Sequence, residues 1–295
     1  MQYLPGEAAT ILFSPLATQH MRLRVLAYNL YFGGSDRLDA IHTVLAHCNA
    51  DLIALTESDD QRVVETLAAR LGLYHVWARG SGDRHIATLS RFPILDWQIY
   101  NRPPLTQAVL ETKIELPPPS ASPPPSPEQF VSAPERGVGG VRSITVYNVH
   151  LLPYLLLPFE IRRWQAVGKL LELIRARQPG PHLIVGDLNS IAPGDRVIQR
   201  NNPPRMRRAM AMQLWWIFRL AIPRLLKAGY VDCFRQLNPN DDGFTWMPGN
   251  RTTRYDYILA DPTLARSLHD CRVVDNIEAV NIASDHLPLL AKFDV

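Results

Sequence analysis

The chain has 295 residues, 46% of them hydrophobic, enough to bury a sizeable core as one large domain or two small ones. Its net charge of +3 is too small by itself to indicate a nucleic-acid partner, and no apolar run approaches the length that crosses a bilayer. Three scattered cysteines, Cys48, Cys233 and Cys271, without C-x-x-C spacing, argue against a disulfide framework and a thiolate zinc site, so a reducing, cytoplasmic setting is expected.

The first twenty residues lack a signal peptide's basic and apolar regions and read as an irregular extension. Strand-like periodicity begins at Met21, which could be an alternative start. Short apolar or β-branched runs then recur at Leu23–Asn29, Leu52–Thr56, His85–Ser90, Leu105–Leu116, Ser143–His150, His182–Asp187, Tyr255–Ala260 and Leu287–Phe293. Between them, Asp36–Asn49, Asp60–Leu71 and Phe159–Arg177 carry apolar residues at helical spacing. This alternation predicts an α/β (α+β) architecture of two mixed sheets packed together with helices outside. Eight of the 25 prolines fall between Leu116 and Gly137. Such a tract cannot supply ladder hydrogen bonds, so residues 117–140 are expected to be an extended insertion at a hairpin tip within one domain spanning 21–295.

The predicted strands share a habit of ending in oxygen- or nitrogen-bearing side chains. The first ends at Asn29, the second runs into Glu57, the Ile144–His150 run ends at His150, and VGDLNS places Asp187 and Asn189 in period-two register. Asp256 lies within RYDYIL, and Asp285 and His286 precede the last strand. Strand ends at one rim are rigid positions from which such groups can converge. The chemistry that uses this set is metal-assisted attack of water on a phosphate ester. A hard ion such as Mg²⁺ takes oxygen ligands, for which Glu57 and Asn29 suit; an aspartate orients the water, and histidines stabilise the phosphoryl charge or protonate the departing alkoxide.

Taken in order, Asn29, LTE ending at Glu57, SRFPI from Ser90, NVHL with His150, GDLN with Asp187 and Asn189, RYDYIL with Asp256 and SDHLP with Asp285 and His286 resemble the endonuclease/exonuclease/phosphatase (DNase I-like) superfamily. The resemblance implies a four-layer sandwich of two mixed β-sheets flanked by helices, with one site that depends on Mg²⁺ or Mn²⁺. It makes Glu57, Asn29 and Asp285 the metal ligands, Asp187 the residue that activates water, and Asn189 the holder of phosphate or metal-bound water. His286, oriented by Asp256, and His150 would contact the phosphate, with His150 alternatively the general acid. Thr56 departs from the glutamine that often precedes the family's metal-binding glutamate. His150 resembles the DNase I-like, sphingomyelinase-like and inositol-phosphatase-like branches rather than the abasic-site endonucleases, which usually carry a tyrosine-containing loop there.

Taken singly, each residue has a plainer explanation: Asn29 opening a turn, Asp187 a cap, Glu57 a solvated helix start, His286 a loop salt bridge. Asp256 inside an apolar strand is harder to dismiss, because a buried charge needs a partner. His42, His47 and His75 read as ordinary surface or structural histidines, His85 as ambiguous at the pocket rim, and Trp77 and Trp97 as packing.

Substrate choice turns on the segment 200–227. From Arg196 to Val231 there are eight Arg or Lys and no acid. It reads either as a helix packed on the sandwich with arginines in water, or as a docking surface for an anionic membrane or single-stranded nucleic acid. With the apolar LLPYLLLPFEIRRW stretch after His150, it favours a lipid head group or small organic phosphodiester over duplex DNA. A nuclease acting on DNA or RNA is the alternative, and a catalytically silent binding module on the same fold is the alternative of another class. A monomer is expected.

Overall fold

A computed structural model describes residues 21–105, 107–118 and 142–295; the expected N-terminal extension and all of the proline-rich insertion beyond Pro118 lie outside them. The first strands are β1 (Arg22–Asn29), β2 (Leu52–Thr56), β3 (Tyr74–Ala78), β4 (Ile86–Ser90), β5 (Ile94–Tyr100) and β6 (Ala108–Glu115). They are followed by β7 (Ser143–His150), β8 (His182–Asp187), β9 (Val231–Asp232), β10 (Asp256–Ala260), β11 (Leu268–Val273) and β12 (Leu289–Asp294). One six-stranded sheet has the order β11-β12-β1-β2-β4-β3 and the other β5-β6-β7-β8-β10-β9.

The central strands bury both faces, which is why they read as continuous apolar runs rather than alternating ones. In β1, Val25 and Ala27 enter the layer between the sheets, where they meet Val146, Val185, Ile258 and Leu289. Leu26 and Tyr28 point outward to Ile41, Val44 and Leu67 of helices α1 (Leu38–Cys48) and α2 (Gln61–Leu71). On the far side, Tyr147, Ile184 and Tyr257 of the second sheet pack on Val167, Leu170 and Ile174 of α3 (Leu157–Arg177). The result is the expected four layers, α/β/β/α.

The helix ends follow local chemistry. The Asp60 side chain accepts from Arg62 N–H at the start of α2, and Gly72 closes it in the left-handed conformation. Pro158 stands in the first turn of α3, and Arg175 and Arg177 in its last turn complement the helix dipole.

The segment 200–227 departs from the single amphipathic helix considered above. It forms α4 (Pro204–Met212) and α5 (Ala221–Lys227), separated by a stretch in which Leu214 and Trp215 take φ of 53° and 62°. Pro223 explains the break, since it has no N–H to donate inside a continuous helix and here sits in the first turn of α5. Arg224 packs over the Trp164 ring and α5 buries Ala221, Ile222 and Leu225, whereas Met212, Leu214 and Trp216 remain exposed. Strands β3, β5, β9 and β11 were not legible as periodic runs. They lie at or beside sheet edges, and β5 exposes Leu95, Asp96, Trp97 and Gln98 in succession.

Register fixes what meets at the rim. Strands β1 and β2 run parallel with Asn29 opposite Thr56, and β7 and β8 run parallel, so these four C-terminal ends can supply side chains to one side. Strand β10 is antiparallel to β8 with Asp256 opposite Asp187, which brings the start of β10 to the end of β8.

Candidate active site

All eight residues singled out above stand at this rim. Asn29, His150 and Asp187 end β1, β7 and β8, Asn189 lies two residues beyond β8, Glu57 directly follows β2, Asp256 opens β10, and Asp285 and His286 lie just before β12. Two of the eight occupy unusual backbone. Glu57 and Asn189 have φ of 49° and 48°, a left-handed conformation that asparagine tolerates but that costs a glutamate roughly 1–2 kcal/mol. Such strain persists where the surrounding structure over-determines it, commonly at functional sites. Gly186 serves the same end: at φ 133°, a Cβ there would lie 2.3 Å from Val149 O, so only glycine lets the end of β8 press against β7 and bring Asp187 to His150.

Asp187 is the centre of the arrangement. Its Oδ1 accepts from Asn189 N–H at 2.9 Å and its Oδ2 from the Asn29 amide at 3.0 Å. The same Oδ2 lies 3.8 Å from His150 Nε2 and 3.9 Å from His286 Nε2, so one carboxylate oxygen stands between two imidazoles. On its other side His286 Nδ1 meets Asp256 Oδ2 at 2.7 Å, which assigns the Nδ1 proton to that bond. Asn29 is held in turn, its Oδ1 accepting from Tyr31 N–H. The Asn189 amide donates to Leu151 O.

The two buried histidines are driven in opposite directions. Burial pushes His286 down, but the Asp256 charge and hydrogen bond, with Asp187 and Asp285 behind them, outweigh it and raise the group to about 10. His150 faces less compensation, and burial lowers it to about 4, against the pull of Glu57. At neutral pH His286 is therefore a cation and His150 neutral. Burial raises Asp187, opposed by His286 and the bonds from Asn29 and Asn189. For Glu57, burial pushes upward but His150, Arg84 and the Phe32 N–H together hold it below its ordinary value. Burial raises Asp285, despite His286.

Among the described residues, Asp187, Asp256 and His286 present possible ligand atoms within 4.8 Å of one another. That trio differs from the expected ligands Asn29, Glu57 and Asp285. A cationic imidazole bound to a carboxylate has no lone pair for a metal, so the trio fits proton handling better than ligation. The carboxylates outside it have free oxygens. Glu57 Oε2 accepts from Phe32 N–H while Oε1 meets only His150 Nε2, at 4.0 Å, and Asp285 Oδ1 is buried without a hydrogen-bond partner. Oxygen donors of this kind fit a hard divalent cation. Asn29 offers only the second lone pair of an oxygen already engaged.

Several supporting residues carried no signal in the sequence. Arg84 Nε lies 3.7 Å from Glu57 Oε2 while its Nη1 donates to Asp59. The Asn148 amide donates to Leu55 O and Ala87 O, tying β7 to the opposite sheet next to His150. Trp246 Nε1 donates to Asp285 Oδ2, and the Ser284 hydroxyl donates to Asn29 O while accepting from His286 N–H. Glu160 and Arg163 of α3, fully buried, bind the loops on either side of the site. Arg163 donates to the carbonyls of Leu152, Pro153 and Tyr154, and Glu160 accepts from Ser190 Oγ, Leu220 N–H and Ala221 N–H. Spacing could have flagged only this last pair, as an i,i+3 acid and base on one helix. His42 and His47 lie on α1 and His75 on β3, away from these contacts, and His85 accepts from Gly80 N–H beside Trp77.

Residues 26–286 match the Endonuclease/Exonuclease/phosphatase family. A curated relative, exodeoxyribonuclease III of Haemophilus influenzae, is 34% identical over 123 residues; the match covers 38% of this chain and 46% of that protein, so the chain spans about half the length of the relative it matches. Among solved structures, a 3′ phosphatase from Neisseria bound to a product DNA hairpin superposes with a TM-score of 0.64 at 19% identity, over 92% of this chain and 100% of that one. An AP endonuclease from Archaeoglobus fulgidus gives a TM-score of 0.65 at 21% identity, with the same coverage. At these identities the two structures speak for the fold.

Proposed function

The chain belongs to the endonuclease/exonuclease/phosphatase family of phosphoester-hydrolysing enzymes, and we propose that it is a divalent-metal-dependent phosphodiesterase that cleaves nucleic acid. The observation that carries the chemistry is the Asp187 carboxylate, oriented by Asn29 and Asn189 and standing between His150 and His286. Asp187 aligns the attacking water and takes its proton. His286, kept charged by Asp256, presents Nε2 to the phosphoryl oxygens, where a fixed positive charge stabilises the transition state more than the ground state. Neutral His150 adds a second hydrogen-bonding group on the opposite side. Glu57 and Asp285, with Asn29 beside them, would hold Mg²⁺ or Mn²⁺, which when bound neutralises phosphate charge and acidifies water.

Nucleic acid is preferred over the lipid head group that the sequence favoured because the curated relative is an exodeoxyribonuclease and a similar structure carries DNA. One observation keeps a lipid reading alive. Met212, Leu214, Trp215 and Trp216 form an exposed apolar stretch in a segment without acids, a composition suited to an anionic membrane surface.

The test is a Mg²⁺-dependent product assay on plasmid DNA, single-stranded DNA, RNA, phospholipid vesicles and inositol phosphates, with Asp187→Ala as control. Cleavage of nucleic acid, lost in the variant, is the expected result. Turnover of vesicles alone, or vesicle binding that survives high salt and disappears in Trp215→Ala/Trp216→Ala, would move the assignment to lipid. No turnover of any substrate would leave a binding module on this fold.

A further inference from the structure

Beside the site, the turn after β1 presents two aromatic rings to solvent from backbone that disfavours them. Tyr31, Phe32, Gly33 and Gly34 have φ of 53°, 54°, 79° and 71°, a run of four left-handed residues. The run has a purpose at the level of the main chain: Phe32 N–H reaches Glu57 Oε2 at 3.1 Å, and Gly33 N–H reaches Glu57 O at 2.8 Å. Arg37 fixes the turn from below through the carbonyls of Leu30, Tyr31 and Ala283. None of this calls for a side chain at position 32, where glycine would adopt the same φ without strain. Phe32 is nevertheless 57% exposed, so burial does not repay its conformation either.

What the ring does touch is charged. The Arg84 guanidinium carbon sits 4.0 Å from the ring centroid, within cation–π range, and Tyr31 meets the ring edge-on at 4.7 Å between centroids. Arg84 is itself anchored by Asp59 at 2.8 Å and lies 3.7 Å from Glu57. The ring is therefore held by the same arginine that flanks Glu57, with much of its surface left open next to the place where a phosphate would bind.

We propose that Phe32, backed by Arg84, is a stacking platform for an unpaired nucleobase one step from the scissile phosphate. This inference rests on the nucleic-acid reading above and narrows it to single-stranded or frayed ends. A base inside a duplex is stacked on both faces and has none to offer this ring, whereas an unpaired base has a free face. An acyl chain is a poor occupant, because the ring is bordered by Arg84, Glu57 and Asp59 rather than by a continuous apolar trough.

The experiment compares a single-stranded oligonucleotide with the same strand carrying abasic residues on both sides of the cleaved bond. Replacing an aromatic ring that stacks on a base by alanine weakens binding roughly 5- to 150-fold, so Phe32→Ala should lower the ratio of kcat/KM for the base-bearing over the abasic strand by that factor. Phe32→Trp should restore the ratio. An unchanged ratio would overturn the platform: with an equal loss on both strands, position 32 would only shape the Glu57 turn, and with no loss on either the ring would touch no substrate. Binding read by fluorescence anisotropy in the Asp187→Ala background separates the two claims. Base-dependent binding, weakened by Phe32→Ala, from a protein whose wild type cleaves no strand would sink the nuclease reading and leave the platform standing. Cleavage by the wild type with no preference for bases would do the reverse.

Discussion

Two ion pairs on α3 share the same i,i+3 spacing and differ in one respect. Glu160–Arg163 is 2.8 Å apart with side chains 2% and 1% exposed, and Lys169–Glu172 is 3.1 Å apart with side chains 45% and 65% exposed. Replacing Glu160 by alanine leaves the Arg163 charge buried without its carboxylate and strips the acceptor from Ser190 Oγ, Leu220 N–H and Ala221 N–H. Removing one partner of a buried pair costs about 3–5 kcal/mol. At roughly 2–4 °C per kcal/mol, the melting temperature should fall by about 6–20 °C. Glu172→Ala on the same helix should cost about 0.5 kcal/mol or less. Urea unfolding followed by circular dichroism measures both. Because Glu160 also anchors the loop that follows Asn189, hydrogen exchange should rise first in residues 188–192 and 217–221. If Glu160→Ala and Glu172→Ala shift the midpoint equally, burial is not what decides the strength of these pairs, and the loop-clamp role assigned to α3 fails.

Asp187→Ala and His286→Ala should each slow phosphodiester hydrolysis by at least about 100-fold, the usual scale for losing a positioned base or charge stabiliser; near-wild-type turnover would remove that residue from the site. His286 is raised from 6.5 to about 10, so its contribution to stability is complete below pH 6.5 and is lost as pH climbs through about 10. His150 is lowered from 6.5 to about 4, so stability should also fall as pH drops from 6.5 toward 4, where the unfolded chain gains the proton first. Two-dimensional NMR of the imidazoles checks both, and two histidines titrating together near 6.5 would contradict the geometry. Saturating Mg²⁺ at about 100 times its Kd should stabilise the protein by about 2.7 kcal/mol in thermal denaturation. Glu57→Gln should abolish that increment, and an undiminished shift would place the ion elsewhere.

The central strands and the ordered polar residues at their ends were legible because both faces of those strands are buried and each polar residue interrupts an apolar run. Edge strands such as β5 and β11 were not, since half of each is solvated and neither period dominates. The 200–227 segment reads as amphipathic over its length, yet Pro223 and the turn at Leu214 and Trp215 divide it. The apolar LLPYLLLPFEIRRW stretch likewise hides its main task. Its Arg163 holds the loop after His150, a role set by contacts with Leu152 to Tyr154.

Local chemistry in the sequence determined that Asn29, Glu57, His150, Asp187 and Asp256 lie at strand ends, because continuous apolar runs and burial fix where a strand can run and where a charge can be tolerated. Only the tertiary structure decided which of them act on which. The antiparallel register that sets Asp256 opposite Asp187 places His286 between two carboxylates, and the opposite sheet places His150 where burial is barely offset. The same kind of side chain is thus charged in one place and neutral in the other, since protonation is set by distances of a few ångströms between residues far apart in the chain. The exposed Phe32 ring on its left-handed turn belongs to this second class, being an ordinary aromatic in sequence until Glu57 and Arg84 are folded against it.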